Sequence, residues 1–203
     1  MKKSLFILLI SVCIPCCADN YKILQMNTSS LQIGNVLCKQ GDTFSDESPI
    51  LWTSDKQAIK GMNLQTKQIR MFVSKEFKDA KAKSIKEYFL KSNHLSTRGG
   101  ALSFSDLAEE LSETQYILGT LPIESPIPLD SLSSYVISYV DNGIKKWCTL
   151  MSTESMFFLN RELFDEGSQN EYTLSLFYRR RGYEDYLITD GLHVIQLPER
   201  IDE

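Results

Sequence analysis

The chain reads as mainly β: a small N-terminal β-barrel or sandwich, a short helical connector and a C-terminal immunoglobulin-like β-sandwich. Three observations predict this. From residue 114 to 198, about seven alternating runs are separated by turn signals every ten residues or so, the spacing of a sandwich. From Tyr21 to Lys75, short apolar runs are broken by Asn, Gly, Asp and Ser clusters, which suits a small, partly closed barrel or sandwich. Between them, residues 75–91 are rich in Lys, Ala and Glu and carry an imperfect helical stripe through Ala80, Ile85, Tyr88, Phe89 and Leu90. The expected boundaries are 1–18 for a leader, 19–75 for the first β unit, 76–113 for the connector and 114–203 for the sandwich.

The leader comes first. Lys2 and Lys3 precede the apolar run Leu5 to Val12, Pro15 breaks it, and Cys16-Cys17-Ala18 puts small residues before Asp19. This is the form of a secretory signal peptide cleaved after Ala18; the run is too short for a spanning helix, which needs about 20 residues. An uncleaved N-terminal anchor is one alternative. Lipidation on Cys13, Cys16 or Cys17 is another, on a poor lipobox, because none of the three follows Gly or Ala. Cleavage would leave 185 of 203 residues, take the net charge from −4 to −6 with the loss of Lys2 and Lys3, and leave two of five cysteines. The expected location is therefore periplasmic or cell-surface, with no transmembrane segment in the mature chain.

In the first β unit, Lys22–Met26, Leu31–Ile33, Val36–Cys38 and Pro49–Trp52 read as strands. Ala58–Met62 and Gln68–Val73 read as a hairpin with a five-residue loop. Lys75–Lys91 reads as a helix. Residues 92–100 read as a loop, and Ser105–Leu111 as a short helix capped by Ser103 or Ser105. In the sandwich, Leu121 to Pro128 carries three prolines at alternating positions. Proline donates nothing to a ladder, so this stretch belongs at an edge or in an extended linker. Ser134–Val140 alternates, Asn142-Gly143 supplies the positive φ angles of a type I′ hairpin turn, and Ile144–Leu150 returns. Tyr172–Tyr178 alternates, Arg179-Arg180-Arg181-Gly182 turns the chain, and Asp190-Gly191 reads as a further turn before Leu192–Leu197.

Composition narrows function. A slightly acidic chain, with 22 Lys+Arg against 26 Asp+Glu, lacks the basic footprint that nucleic acid requires. Metal-ligand spacings and cofactor motifs are not found; Asp42, Asp46 and Glu47 place too few oxygens in register for a calcium loop. Cys38 and Cys148 are the two mature cysteines and could pair in an oxidising compartment, although each sits in a strand-like run where a buried thiol is common. His94 lies in a polar loop with Arg98, and His193 in a strand with apolar neighbours. A hydrolase or peptidase built on His94 or His193 with Cys148 is one alternative. An adhesin or fimbria-like subunit exchanging strands along the proline-rich edge is another.

The stretches Lys22–Thr28, Ile33-Gly34, Gly41–Phe44, Ile50–Lys60, Leu187–Leu192 and Ile195–Glu199 resemble a family of uncharacterised secreted proteins of Bacteroides-type gut bacteria, often encoded beside caspase-like peptidases. The resemblance implies an accessory role and brings no catalytic residues with it. The leading expectation is an exported, non-enzymatic binding or accessory module whose partner is another cell-envelope protein. Candidate contact residues are Asp42 and Phe44 in the Gly41–Pro49 loop, His94 and Arg98 in the 92–100 loop, and Arg179, Arg180 and Arg181 at the hairpin end.

Overall fold

The computed structural model describes residues 18–79, 81–92, 103–164 and 170–201. It is mainly β, with two β units and three short helices. The first unit holds β1 (Asn20–Met26), β2 (Leu31–Ile33), β3 (Val36–Cys38), β4 (Thr43–Ser45), β5 (Ile50–Leu51), β6 (Ala58–Asn63) and β7 (Ile69–Val73), followed by helices α1 (Ser74–Asp79) and α2 (Ile85–Ser92). The strands form two open sheets, ordered β4-β1-β6-β7 and β3-β2-β5, rather than a closed barrel. The predicted hairpin is β6–β7. Its loop is held by Asn63, whose Oδ1 accepts from the Gln65 and Thr66 amides.

Aromatic packing fixes this core. Tyr21 meets Phe44 at 5.9 Å and Phe72 edge-on at 5.3 Å, and Phe77 of α1 stacks on Tyr88 of α2 at 4.9 Å. The single helix expected over 75–91 is broken in two. Lys81 takes a φ of 54°, and a new start forms at Ser84, whose Oγ accepts from the Glu87 amide while the Glu87 carboxylate accepts from the Lys83 amide. That is close to a capping box, and Ser84-x-x-Glu87 is its sequence signature.

The second unit begins with α3 (Phe104–Glu110), capped by Ser103 as expected. Then follow β8 (Gln115–Ile117), β9 (Thr120–Glu124), β10 (Ser133–Asp141), β11 (Ile144–Thr149), β12 (Met151–Ser152), β13 (Met156–Asn160), a 3-10 turn (Arg161–Leu163), β14 (Glu171–Arg180) and β15 (Tyr186–Gln196). One sheet is ordered β11-β10-β14-β15-β8, with β8 parallel to β15; the other is β12-β13-β9. The chain passes from β9 to the five-stranded sheet, back through β12 and β13, and returns in β14 and β15. This is an immunoglobulin-like sandwich. β9 and β14 contain no cysteine, so the inter-sheet disulfide of antibody domains has no counterpart. Aromatic rings pack the sandwich core: Tyr135 stacks on Phe157 at 4.0 Å and Phe164 on Tyr172 at 4.3 Å, and the Tyr139 hydroxyl donates to the Leu163 carbonyl at 2.8 Å.

Pro122 lies on the edge strand β9, as its missing N–H requires, and that edge is blunted against strand addition. Asn142 and Gly143 have φ angles of 49° and 77° in the β10–β11 turn, as a type I′ hairpin demands. Asp190-Gly191 is not a turn. β15 runs straight through it, and Gly191, at φ 96°, forms a bulge that shifts the register against β14.

The connector does not bridge the units as a separate layer. Phe77 and Ile85 are buried in the first core, whereas Leu107 of α3 and its C-cap residue Leu111 are buried in the second. The units meet along a seam of Ala58 and Val73 from one side and Leu118 and Leu197 from the other. Asn27 pins it. Its Nδ2 donates to the Lys56 and Pro198 carbonyls, its Oδ1 accepts from the Ala58 amide, and its own carbonyl accepts from the Ile201 amide. The Lys60 ammonium reaches across to the Thr120 carbonyl. No helix among the described residues is long and apolar enough to cross a membrane.

Candidate functional site

Strand alternation sends Tyr135, Ile137, Tyr139, Tyr172, Leu174, Leu176 and Tyr178 into the sandwich core. The intervening residues of β10, β11, β14 and β15 therefore form the outer face of the five-stranded sheet. On that face lies an open cavity of about 520 Å³, lined by Ser138, Tyr139, Val140, Lys145, Glu171, Tyr172, Thr173, Ser175, Asp190 and His193.

The bulges in β15 make this lining. Leu187, Asp190 and His193 are spaced by three, so a regular strand would turn Asp190 to the opposite side from the other two. Register shifts lie between the Leu176 and Phe177 pairs and between the Leu174 and Ser175 pairs. Each inserts one extra residue in β15, so Leu187, Asp190 and His193 stand opposite Phe177, Ser175 and Thr173 on one face. Gly191 supplies the positive φ at the second shift. An added Cβ there would meet nothing within 4 Å, so the expected effect of Gly191→Ala is backbone strain alone. It should cost about 1 kcal/mol in urea denaturation.

The polar groups are already oriented. Ser175 Oγ donates to Asp190 Oδ1 at 2.7 Å. His193 is held from both sides, with Nε2 at 2.7 Å from Glu171 Oε1 and Nδ1 at 3.0 Å from Thr114 Oγ1. An ionised Glu171 only accepts, so Nε2 carries the proton, and a neutral ring then accepts the Thr114 hydroxyl proton at Nδ1. Ser138 is buried at the floor of the face. Trp147, directly opposite Ser138 in register, is 49% exposed; its ring lies 5.1 Å from Phe177, with Lys145 Nζ 4.8 Å from its centroid.

The residues singled out in the sequence are scattered. Phe44 is a core side chain stacked on Tyr21, not a contact residue, and the Gly41–Pro49 segment is largely the edge strand β4 and its turns. Asp42 is exposed and closes its own turn, Oδ2 accepting from the Lys39 amide at 2.8 Å. Arg179 makes a two-pronged pair with Asp185 at 2.8 and 2.7 Å, which holds the Asp185 carboxyl below its usual range. Arg180 lies 3.5 Å from Asp130, and the Arg181 amide bonds the Leu132 carbonyl. Two of the three arginines thus already face carboxylates. His94 and Arg98 lie outside the described residues.

Cys38 and Cys148 are not bridged; both are free thiols. Cys38 is buried in the first unit's core, where burial pushes its pKa up, while Cys148 packs against the second unit's core. Cys148 cannot serve His193 either. It faces the inner side of β11, whereas His193 faces the outer side of β15, with β10 and β14 between them.

Sequence reasoning missed Ser138, Ser175, Glu171 and Asp190. The available signal was Gly191, since an isolated glycine inside a strand pattern marks a bulge. The fold and the face together define an immunoglobulin-like sandwich with a polar, concave sheet surface. No protein-family model, curated protein or solved structure matches this chain.

Proposed function

We propose that the protein is an exported, non-catalytic binding module of the cell envelope that recognises its ligand with the outer face of the five-stranded sheet. The observation that carries this reading is the cavity on that face, where hydroxyls, carboxylates and an imidazole converge; the exposed Trp147 stands outside its lining, as the cross-strand neighbour of Ser138. The N-terminal leader pattern supports export, and the resemblance to secreted proteins encoded beside peptidases supports an accessory role. The test is an NMR titration of labelled protein with envelope fractions of its host. Amide shifts should concentrate on β10, β14 and β15 and vanish in Ser175→Trp, which fills the cavity. Shifts confined to other surfaces would overturn the reading.

One observation favours a second reading. Thr114, His193 and Glu171 form a hydroxyl–imidazole–carboxylate line of the kind that activates a nucleophile. In a hydrolase, Thr114 Oγ would attack an ester carbonyl, His193 Nδ1 would take its proton and return it to the leaving alkoxide, and water would then cleave the acyl-threonine. Glu171 is 67% exposed, however, and water screens the pair that would have to hold the imidazolium. Ester turnover lost in both Thr114→Val and His193→Ala would establish this reading over binding.

A further inference from the structure

We infer that the ligand of this face is a carbohydrate, with the Trp147 ring as the platform for a sugar's C–H face and Asp190 and Ser175 as the groups that read its hydroxyls. The inference rests on the binding reading above and names the class of ligand.

The chemistry of the surface selects among ligands. An anion would want more cations than Lys145 alone, which stands against Glu171 and Asp190. An apolar ligand would gain nothing from a floor of hydroxyls, whose desolvation would go uncompensated. A neutral polyol fits both conditions. Each sugar hydroxyl donates and accepts, so it can give its proton to Asp190, Glu171 or a lone pair of Ser175, whose own proton is held by Asp190, and accept from the Lys145 ammonium. A carboxylate acceptor makes the stronger, charge-assisted bond. The C–H face of a pyranose is apolar, and an exposed indole offers a broad, rigid surface at low entropic cost.

Geometry supports the same class. Trp147, Ser138, Ser175 and Asp190 are successive cross-strand partners, forming one row across four strands. Neighbouring strands lie about 4.8 Å apart, so the row is roughly 14 Å long, room for two or three sugar rings. The cavity of about 520 Å³ falls within the usual range of small-molecule clefts. A protein partner would instead be expected to seek an apolar centre, and here the centre of the row is two serines, with the exposed apolar Val140 and Leu187 of this face lying beside the row. Lys145 over the indole is no obstacle, because an exposed cation–π contact is worth only about 0.5–1 kcal/mol and a ligand can displace it.

The experiment uses the purified full chain on a glycan array. It adds affinity gels of starch, cellulose, chitin, mannan and peptidoglycan, and calorimetry with the disaccharides or oligosaccharides of any hit. Saturable binding is expected, weakened at least tenfold by Trp147→Ala and by Asp190→Asn. The protein should stay folded by circular dichroism, since both side chains lie outside the core. Asp190→Asn keeps the size and the bond to Ser175 while removing the charge. Silence on every array and gel, with envelope-fraction shifts still mapping to this face, would overturn the carbohydrate and leave the binding reading standing. Silence on both would overturn the two together. Sugar binding unchanged in both variants would place the site elsewhere and overturn the inference.

Discussion

Replacing Asn27 with Ala is expected to destabilise the whole chain by about 3 kcal/mol, more than any surface change should. The side chain is nearly fully buried, 1% exposed, at the seam between the two units. Its amide satisfies three backbone groups at once: the Ala58 N–H at 2.9 Å, the Lys56 carbonyl at 2.8 Å and the Pro198 carbonyl at 3.2 Å. Alanine would leave all three without that partner, and Ala58 has no exposed surface through which water could replace it. Each orphaned buried group costs about 1–3 kcal/mol. Asn27→Asp separates hydrogen bonding from simple packing. It keeps the acceptor for Ala58 but turns a carboxylate oxygen toward two carbonyl oxygens, so it should be at least as damaging as alanine. A thermal melt would read either variant as a fall in Tm of roughly 6–12 °C, at about 2–4 °C per kcal/mol for a chain this size. A melt unchanged by both variants would show that the seam does not depend on this amide.

The local elements were legible because their signals are local. Asn142-Gly143 needs positive φ and has it, Pro122 needs an edge and occupies one, and Ser103 caps the helix its position announces. The sandwich core was legible because alternation is a two-residue pattern that survives in Tyr135, Ile137 and Tyr139. The missed features depend on pairing. Gly191 looks the same in a turn and in a bulge until β14 is laid beside it. Cys38 and Cys148 could pair on paper, but only the fold shows that they belong to different cores. The cavity was hidden for the same reason. Its serines, carboxylates and histidine come from β10, β14 and β15, and each alone resembles an ordinary outward residue. Register assembles them, so no short motif could announce them.

Glu76 is expected to contribute stability that is lost as pH rises from about 4.5 to 7. Burial, the Glu113 carboxylate and the nearby Asp79 push its pKa up to about 7 from 4.5, against a hydrogen bond with Tyr88 that pulls it down. The folded chain then holds a proton that the unfolded chain has already released, so the contribution is complete below 4.5 and is lost as pH climbs through 7. A tenfold difference in proton affinity between the folded and unfolded chains is worth about 1.4 kcal/mol, and water reaching the half-buried carboxylate reduces the full effect to roughly 1–3 kcal/mol. Glu76→Gln should therefore match the wild type near pH 4.5 and exceed it by that margin at pH 8 in urea denaturation. Subtracting the two curves cancels the titrating groups that do not interact with Glu76. Glu113→Gln should recover part of the gain, because it removes the second-largest cause of the raised pKa. Parallel curves for wild type and Glu76→Gln would refute the assignment. Glu113 and Tyr116 belong to the second unit, and burial with the charge of Glu76 pushes the Tyr116 phenol up to about 12. The strain of ionising Glu76 thus falls across the same seam that Asn27 pins, and the two units are held most tightly when that carboxyl is protonated.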